Sequence, residues 1–296
     1  MAFRLRARRA AQRQAPAQDA QKNLERPSAQ EIFEQVANNA RQELKRSTSA
    51  LAISGFAGGI FMGLSALGNA IALAMLGTTS KIQFIAKMFY PVGFIVVILG
   101  RAQLFTENTL YPVALVLAEK KHFWNTMRLW FTVLPSNVLG ALTFAALASL
   151  TNALKPDVVH ALAGLGIEAV QRDPSAIFWS GVMGGWIIAL AAWLVSGSHS
   201  ITGSVMIIWI LTFMVGLGNF AHCIAASGEV FTAVLTHQLP WAAYFSWLLP
   251  AVSGNICGGV GMVTLLEYGQ VVYGDSGEPA LSGDASSSTK IAEDAA

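Results

Sequence analysis

The sequence predicts an all-α membrane protein of six transmembrane helices, built as two inverted halves of three, with the second and fifth helices broken. Three observations lead there. Of 296 residues, 54% are hydrophobic and 12% charged, against about 25% charged in an ordinary soluble domain. The apolar residues gather into six runs of twenty or more, the length that carries a helix across about 30 Å of hydrocarbon. The third observation is a polar motif near the end of each half.

The N-terminal segment, residues 1–49, is basic and polar, with Arg4, Arg6, Arg8 and Arg9 at its front. No apolar segment with a small-residue cleavage site follows, so no cleavable signal peptide is expected. No folded basic domain accompanies it, so it is read as a topology signal and nucleic acid is not an expected partner. Within it, "SAQEIFEQVANNARQELKR" (28–46) spaces Ile32, Phe33, Val36 and Leu44 as an amphipathic helix behind a serine N-cap. That helix is expected to lie along the lipid surface.

The membrane-spanning part covers 50–268, with runs at 50–77, 83–118, 124–151, 175–196, 202–235 and 241–268. The second and fifth are too long for one straight crossing, so each is expected to be interrupted. Ten of the nineteen Lys and Arg lie in residues 1–50, and Lys120, Lys121 and Arg128 lie in the second loop. Basic residues in short loops stay cytoplasmic, so both termini are predicted to be cytoplasmic. The remainder, 269–296, is expected to be a disordered tail, since its Gly, Ser, Asp and Ala cannot build a core.

The repeat shows in "LPSNVLG" (134–140) and "LPAVSGNICGG" (249–259). Asn137 and Asn255 are 118 residues apart, and the same offset carries Thr106 to residue 224, inside "NFAHCIAASGE" (219–229). Three crossings per copy make the copies inverted. Transport folds of that kind place their pathway where paired broken helices meet near the midplane. A broken backbone survives at membrane depth only against protein or water, so both breaks are expected to face inward.

Few titratable groups fall inside the runs: Arg101, Glu107, His222 and Glu229. A centred charge costs about 2.5–3.5 kcal/mol on insertion scales, which makes each a functional candidate. Arg101 is read as structural, snorkelling from a span end or pairing with a carboxylate. His222 is read as pore-lining, opposite Thr106. Glu229, seven residues on, shares its face only if the helix is continuous, and Glu107 is expected to point aside if Thr106 faces the pathway.

Signatures of enzymes are weak. Glu119 and His122 in "EKKH" have the spacing of a di-iron half-site, but no second copy is present. There is no Walker loop, Gly-x-Ser-x-Gly, Cys-x-x-Cys or dinucleotide fingerprint. Cys223 and Cys257 lie in apolar runs and are read as small hydrophobes. No cofactor, metal or enzymatic activity is expected.

Several stretches resemble the formate/nitrite transporters: "LFT" at 104–106, "NVLGA" from Asn137, "SGNICGG" from Ser253 and "NFAHCIA" around His222. The resemblance covers residues 30–270. It implies an aquaporin-like inverted 3+3 repeat, a homopentamer in lipid, and one pore per subunit. It further implies that Leu104 and Phe105 help form an apolar constriction and that Thr106 contacts His222. Small monovalent anions or their acids are the implied solute.

Four positions depart from that family's pattern. Glu107 replaces a small residue, Ala221 an acidic one, Ala226 an asparagine and Val215 a constriction phenylalanine. "GRAQLFTENT" and Glu229 are similar to a little-characterised inner-membrane branch of the family. The pathway set is therefore His222, Thr106, Leu104, Phe105, Glu107, Val215, Glu229, Asn137 and Asn255. Two other readings remain open: a pore for a cation or neutral polar solute selected by the glutamates, and a non-conducting scaffold or sensor that keeps the fold.

Overall fold

The computed structural model describes residues 27–274. The four N-terminal arginines and the tail from residue 275 lie outside the described residues. Every regular element among the described residues is helical.

The chain enters through α1 (Ala29–Lys45). Ser28 caps it: its Oγ accepts from the Glu31 backbone N–H, while the Glu31 carboxylate accepts from the Ser28 N–H, a reciprocal capping box. Phe33, Val36, Ala37, Ala40 and Leu44 form its buried face, as the amphipathic pattern predicts.

Next come α2 (Thr48–Leu76), α3 (Ser80–Lys87), α4 (Pro91–Leu99), a short 3₁₀ turn (Glu107–Thr109) and α5 (Tyr111–Glu119). The long α6 (Phe123–Leu150) closes this half. The second half runs through α7 (Pro156–Val170), α8 (Pro174–Ser196), α9 (Ile201–Leu217), α10 (Ala225–Leu235) and α11 (Trp241–Ile256). A π-helical stretch, Cys257–Thr264, joins α11 to α12 (Leu265–Gly274).

Among the described residues, five helical stretches are long and apolar enough to cross a membrane: Thr48–Leu76, Ser80–Leu99, Phe123–Leu150, Pro174–Ser196 and Trp241–Tyr273. The sequence counts six runs. The difference lies in 202–235, which divides into helices of 17 and 11 residues, each short of the roughly 20 that a crossing takes. Residues 83–118 are likewise split, by the irregular stretch between α4 and α5. Two sequence readings need correction. Residues 269–274 continue a helix and are not part of the tail, and the periodic pattern gave no notice of α7.

Backbone approach sets the packing of two helix pairs, α2 with α6 and α8 with α11. A methyl on Gly59 would overlap the Asn137 carbonyl oxygen, and one on Gly185 the Asn255 carbonyl oxygen. Small residues permit this contact, which in lipid replaces the hydrophobic drive toward association. Because the opposing atoms are backbone, no rotamer change relieves the clash. Gly59→Ala and Gly185→Ala are each expected to destabilise the protein by about 1–3 kcal/mol, read as a lowered melting temperature in detergent.

Candidate functional site

Both breaks end a helix in the same way. After α4, the Gly100 N–H donates to the Val96 carbonyl (2.9 Å) and the Ala102 N–H to the Val97 carbonyl (3.1 Å). After α9, the Gly218 N–H donates to Met214 (2.9 Å) and the Phe220 N–H to Val215 (3.0 Å). Arg101 (φ 57°) and Asn219 (φ 48°) take the left-handed position that this closing pattern requires. Glycine usually fills that position, which is why a glycine count does not reveal either bend.

Beyond each bend the freed backbone is held by one asparagine. The Asn137 Oδ1 accepts from the Phe105 N–H (2.9 Å), while its Nδ2 donates to the carbonyls of Gly55 (2.6 Å) and Gln103 (2.9 Å). The Asn255 Oδ1 accepts from the Cys223 N–H (2.9 Å), and its Nδ2 donates to the carbonyls of Gly181 (2.8 Å) and Ala221 (2.9 Å). A serine adds a third tie to each break: Ser54 Oγ accepts from the Gln103 N–H (3.1 Å), and Ser180 Oγ from the Ala221 N–H (2.9 Å). The otherwise orphaned backbone groups are thus satisfied by protein.

The two breaks bring Thr106 and His222 together across 116 residues of chain, with Thr106 Oγ1 and His222 Nε2 2.8 Å apart. On the other side of the ring, Nδ1 accepts from the Ala225 backbone N–H (3.0 Å). An amide N–H only donates, so Nδ1 carries no proton and the ring is the Nε2–H tautomer, which donates to the threonine oxygen. Phe94 packs edge-on to the imidazole, ring centres 5.0 Å apart.

Two cavities flank this pair. One, of about 380 Å³, opens beside α1 and is lined by Glu43, Arg101, Gln103, Leu104, Glu107 and Tyr111 among others. The other, of about 40 Å³, is lined by Lys87, Tyr90, Glu168, Arg172, Val215 and Glu229 among others. Tyr90, Phe94 and Ile98 are successive turns of one helix face: Tyr90 lines the smaller cavity, Phe94 touches His222, and Ile98 lines the larger. Eight residues of helix rise about 12 Å, so the imidazole sits between the cavities within a short apolar layer. Phe94, Leu104, Val215 and Ile224 belong to the same buried cluster there.

The nine predicted residues separate by position. His222 and Thr106 form the contact between the breaks, Leu104 and Glu107 line the larger cavity, and Val215 and Glu229 line the smaller. Glu107 and Glu229 are each 8% exposed, and neither carboxylate has a side-chain hydrogen bond or ion pair among the described residues. Phe105 packs on Trp130, ring centres 5.6 Å apart, and Asn137 and Asn255 act on the backbone.

Several polar contacts escaped the sequence reading, most of them because their partners are far apart in the chain. Gln103 Nε2 donates to Glu43 of α1 (2.6 Å), and Gln103 Oε1 accepts from Asn108 Nδ2 (2.9 Å). Across the molecule, Arg172 donates to the Asn219 carbonyl (2.9 Å), and the Asn219 amide to Glu168 (2.9 Å). Phe94 was also missed; its only sequence cue was an aromatic among aliphatic residues. Glu119 and His122 meet at 3.0 Å, but Arg41 also binds that carboxylate (2.7 Å). The guanidinium and imidazole hold the Glu119 carboxyl below its usual range, making a surface ion network.

Comparison with known proteins adds five findings. A sequence model of the family described as Formate/nitrite transporter matches residues 30–269. The Inner membrane protein YfdC of Escherichia coli is 30% identical over 247 residues, 82% of this chain and 79% of that protein. The Formate channel BtFdhC of Bacillus thuringiensis is 24% identical over 240 residues, 79% and 92% of the two chains. Among solved structures, an FNT family ion channel superposes with a TM-score of 0.72 at 18% identity, over 83% of this chain and 99% of its own. A pentameric formate channel with formate bound superposes at 0.62 and 19% identity, over 75% and 97%.

Proposed function

Because this chain belongs to the formate/nitrite transporter family, we propose that it is a passive or proton-linked channel for small monovalent weak-acid anions, with His222 as its polar centre. The observation that carries this reading is the order along α4: cavity, imidazole contact, cavity. The fold that goes with it is the aquaporin-like inverted 3+3 repeat, supported by the matched hydrogen bonds of Asn137 and Asn255. The working unit is a homopentamer in the bacterial inner membrane with both termini cytoplasmic, so that the larger cavity, beside α1, faces the cytoplasm. The organisation is a basic segment to residue 49, a channel body from residue 50 through the helix that ends at Gly274, and a tail.

Magnitudes favour passage as the neutral acid. Moving a carboxylate-sized anion into a medium like dry protein costs on the order of 20 kcal/mol in the idealised limit, and several kcal/mol after relaxation. Protonating a carboxylate of ordinary pKa at pH 7 costs only about 4 kcal/mol, three units at 1.36 kcal/mol each. Between its two vestibules the neutral acid needs one polar partner, and the Nε2–H of His222 with the Thr106 hydroxyl supplies it. Formate influx into proteoliposomes is therefore expected to rise as external pH falls, more steeply than the anion concentration alone accounts for.

The placement of Glu107 and Glu229 on the cavity walls favours a second reading, a pathway selecting a cation or a neutral polar solute. Reversal potentials in planar bilayers separate the two. Under the weak-acid reading, imposed sodium or potassium gradients are expected to leave no cation-selective potential, and Glu107→Gln to introduce none. A cation-selective potential that Glu107→Gln removes is the opposite result.

A further inference from the structure

We propose that Glu229 and Glu107 are the proton-exchange groups of this pathway, one per vestibule, which load a proton onto a weak-acid anion at one end and take it back at the other. This deepens the reading of the chain as a weak-acid channel and rests on it. Geometry shows first what His222 does not supply. Its Nδ1 is occupied by the Ala225 N–H and its Nε2 by Thr106. If the imidazole gives up its Nε2 proton to an anion, it has no second ring proton behind it and no route for one through Nδ1. A proton that accompanies the solute must come from the vestibules.

Each vestibule holds a carboxyl group suited to that exchange. Glu107 and Glu229 are more than nine-tenths buried, have no side-chain hydrogen bond or ion pair among the described residues, and line the cavity walls. A carboxyl group in such a place exchanges protons with cavity water and with a solute oxygen, without first breaking a protein contact.

The surroundings differ. Glu229, on α10, is faced by Lys87 at the end of α3, Tyr90 ahead of α4, and Glu168 and Arg172 at the end of α7. Glu107 is faced by Glu43 of α1, Arg101 of its own break, Tyr111 of α5 and His199 between α8 and α9. The smaller cavity therefore sets two cations and one acid around its glutamate, an arrangement that draws in an anion. In the larger cavity one cation, one acid and a histidine surround Glu107.

The proton balance is closed. In inward transport, a proton leaves Glu229 for an oxygen of the anion, and the neutral acid crosses the layer at His222. In the larger cavity the acid returns the proton to the Glu107 carboxylate, which passes it to water. Glu229 is reloaded from water on its own side, and no electron moves.

The test is formate influx into proteoliposomes of the purified full chain between about pH 5 and pH 8, with internal pH recorded by an entrapped dye. Without a local proton source, influx follows the neutral acid and falls about tenfold per pH unit above the acid's pKa. The Glu107→Gln/Glu229→Gln double variant is expected to show that slope, while wild type falls less steeply and the two agree within about twofold near pH 5, where bulk acid suffices. The Asp variants, which keep a carboxyl group, are expected to restore the shallow slope. A double Gln variant that keeps the wild-type slope, or loses the same factor of flux at every pH, overturns the proposal. An assembled wild-type protein that passes no formate at any pH overturns the weak-acid reading and this proposal with it.

Discussion

His222→Phe is expected to reduce formate influx into proteoliposomes by about thirtyfold or more while the oligomer elutes unchanged from a sizing column. Phenylalanine keeps a planar ring against Phe94, so the packing survives. It deletes both functions of the imidazole nitrogens, the acceptor for the Ala225 N–H and the donor to Thr106. One buried N–H left without a partner costs about 1–3 kcal/mol, a loss that a folded domain of about 5–15 kcal/mol stability withstands. The effect on the solute is larger. A polar molecule crossing an apolar layer without a hydrogen bond faces roughly 2–7 kcal/mol, and each 1.4 kcal/mol is about tenfold in rate. Thr106→Val, which removes the other member of the pair at nearly constant volume, is expected to fall between wild type and His222→Phe. Unchanged flux in His222→Phe contradicts the central role of the imidazole.

Asn137→Leu and Asn255→Leu are expected to produce the largest losses of stability of any single substitutions in the channel body, and losses of similar size. Each asparagine satisfies one buried N–H and one carbonyl of a broken helix, Phe105 and Gln103 in one half and Cys223 and Ala221 in the other, and donates as well to a carbonyl of a continuous neighbouring helix. Two orphaned groups cost roughly 2–6 kcal/mol at soluble-protein rates. Membrane proteins average about 0.6 kcal/mol per side-chain hydrogen bond, which sets a lower bound near 2 kcal/mol. Even the lower bound is a sizeable share of total stability. Thermal melting in detergent checks both variants. Because the two sets of contacts match bond for bond, a large effect at one asparagine and none at the other contradicts their equivalence.

Much of this was legible in the linear chain. The apolar runs placed the membrane helices, the "LPSNVLG" and "LPAVSGNICGG" motifs pointed to Asn137 and Asn255, and excess length marked 83–118 and 202–235 as interrupted. The resemblance to the formate/nitrite transporters implied the contact between Thr106 and His222, which the structure places at 2.8 Å. Other features were illegible for definite reasons. The bends are made by Arg101 and Asn219 in a left-handed conformation, not by the glycines that announce such turns. The helix α7 carries no strong period because it packs on both α2 and α10, so its apolar residues do not fall on one face.

By itself the sequence determined that the chain is a membrane protein, where its long apolar runs lie and which polar residues stand inside them, and it pointed to a plan shared by the two halves. These are local quantities, set by hydropathy summed over about twenty residues and by motifs a few residues long. Only the tertiary structure decided the tautomer of His222, the burial of Phe94 against it, and the assignment of Glu107 and Glu229 to separate cavities. The physical reason is that a broken helix has no fixed period. Once the 3.6-residue repeat is interrupted, the direction of each following side chain depends on where the chain resumes. That point is set by the hydrogen bonds of Asn137 and Asn255 to segments more than thirty residues away.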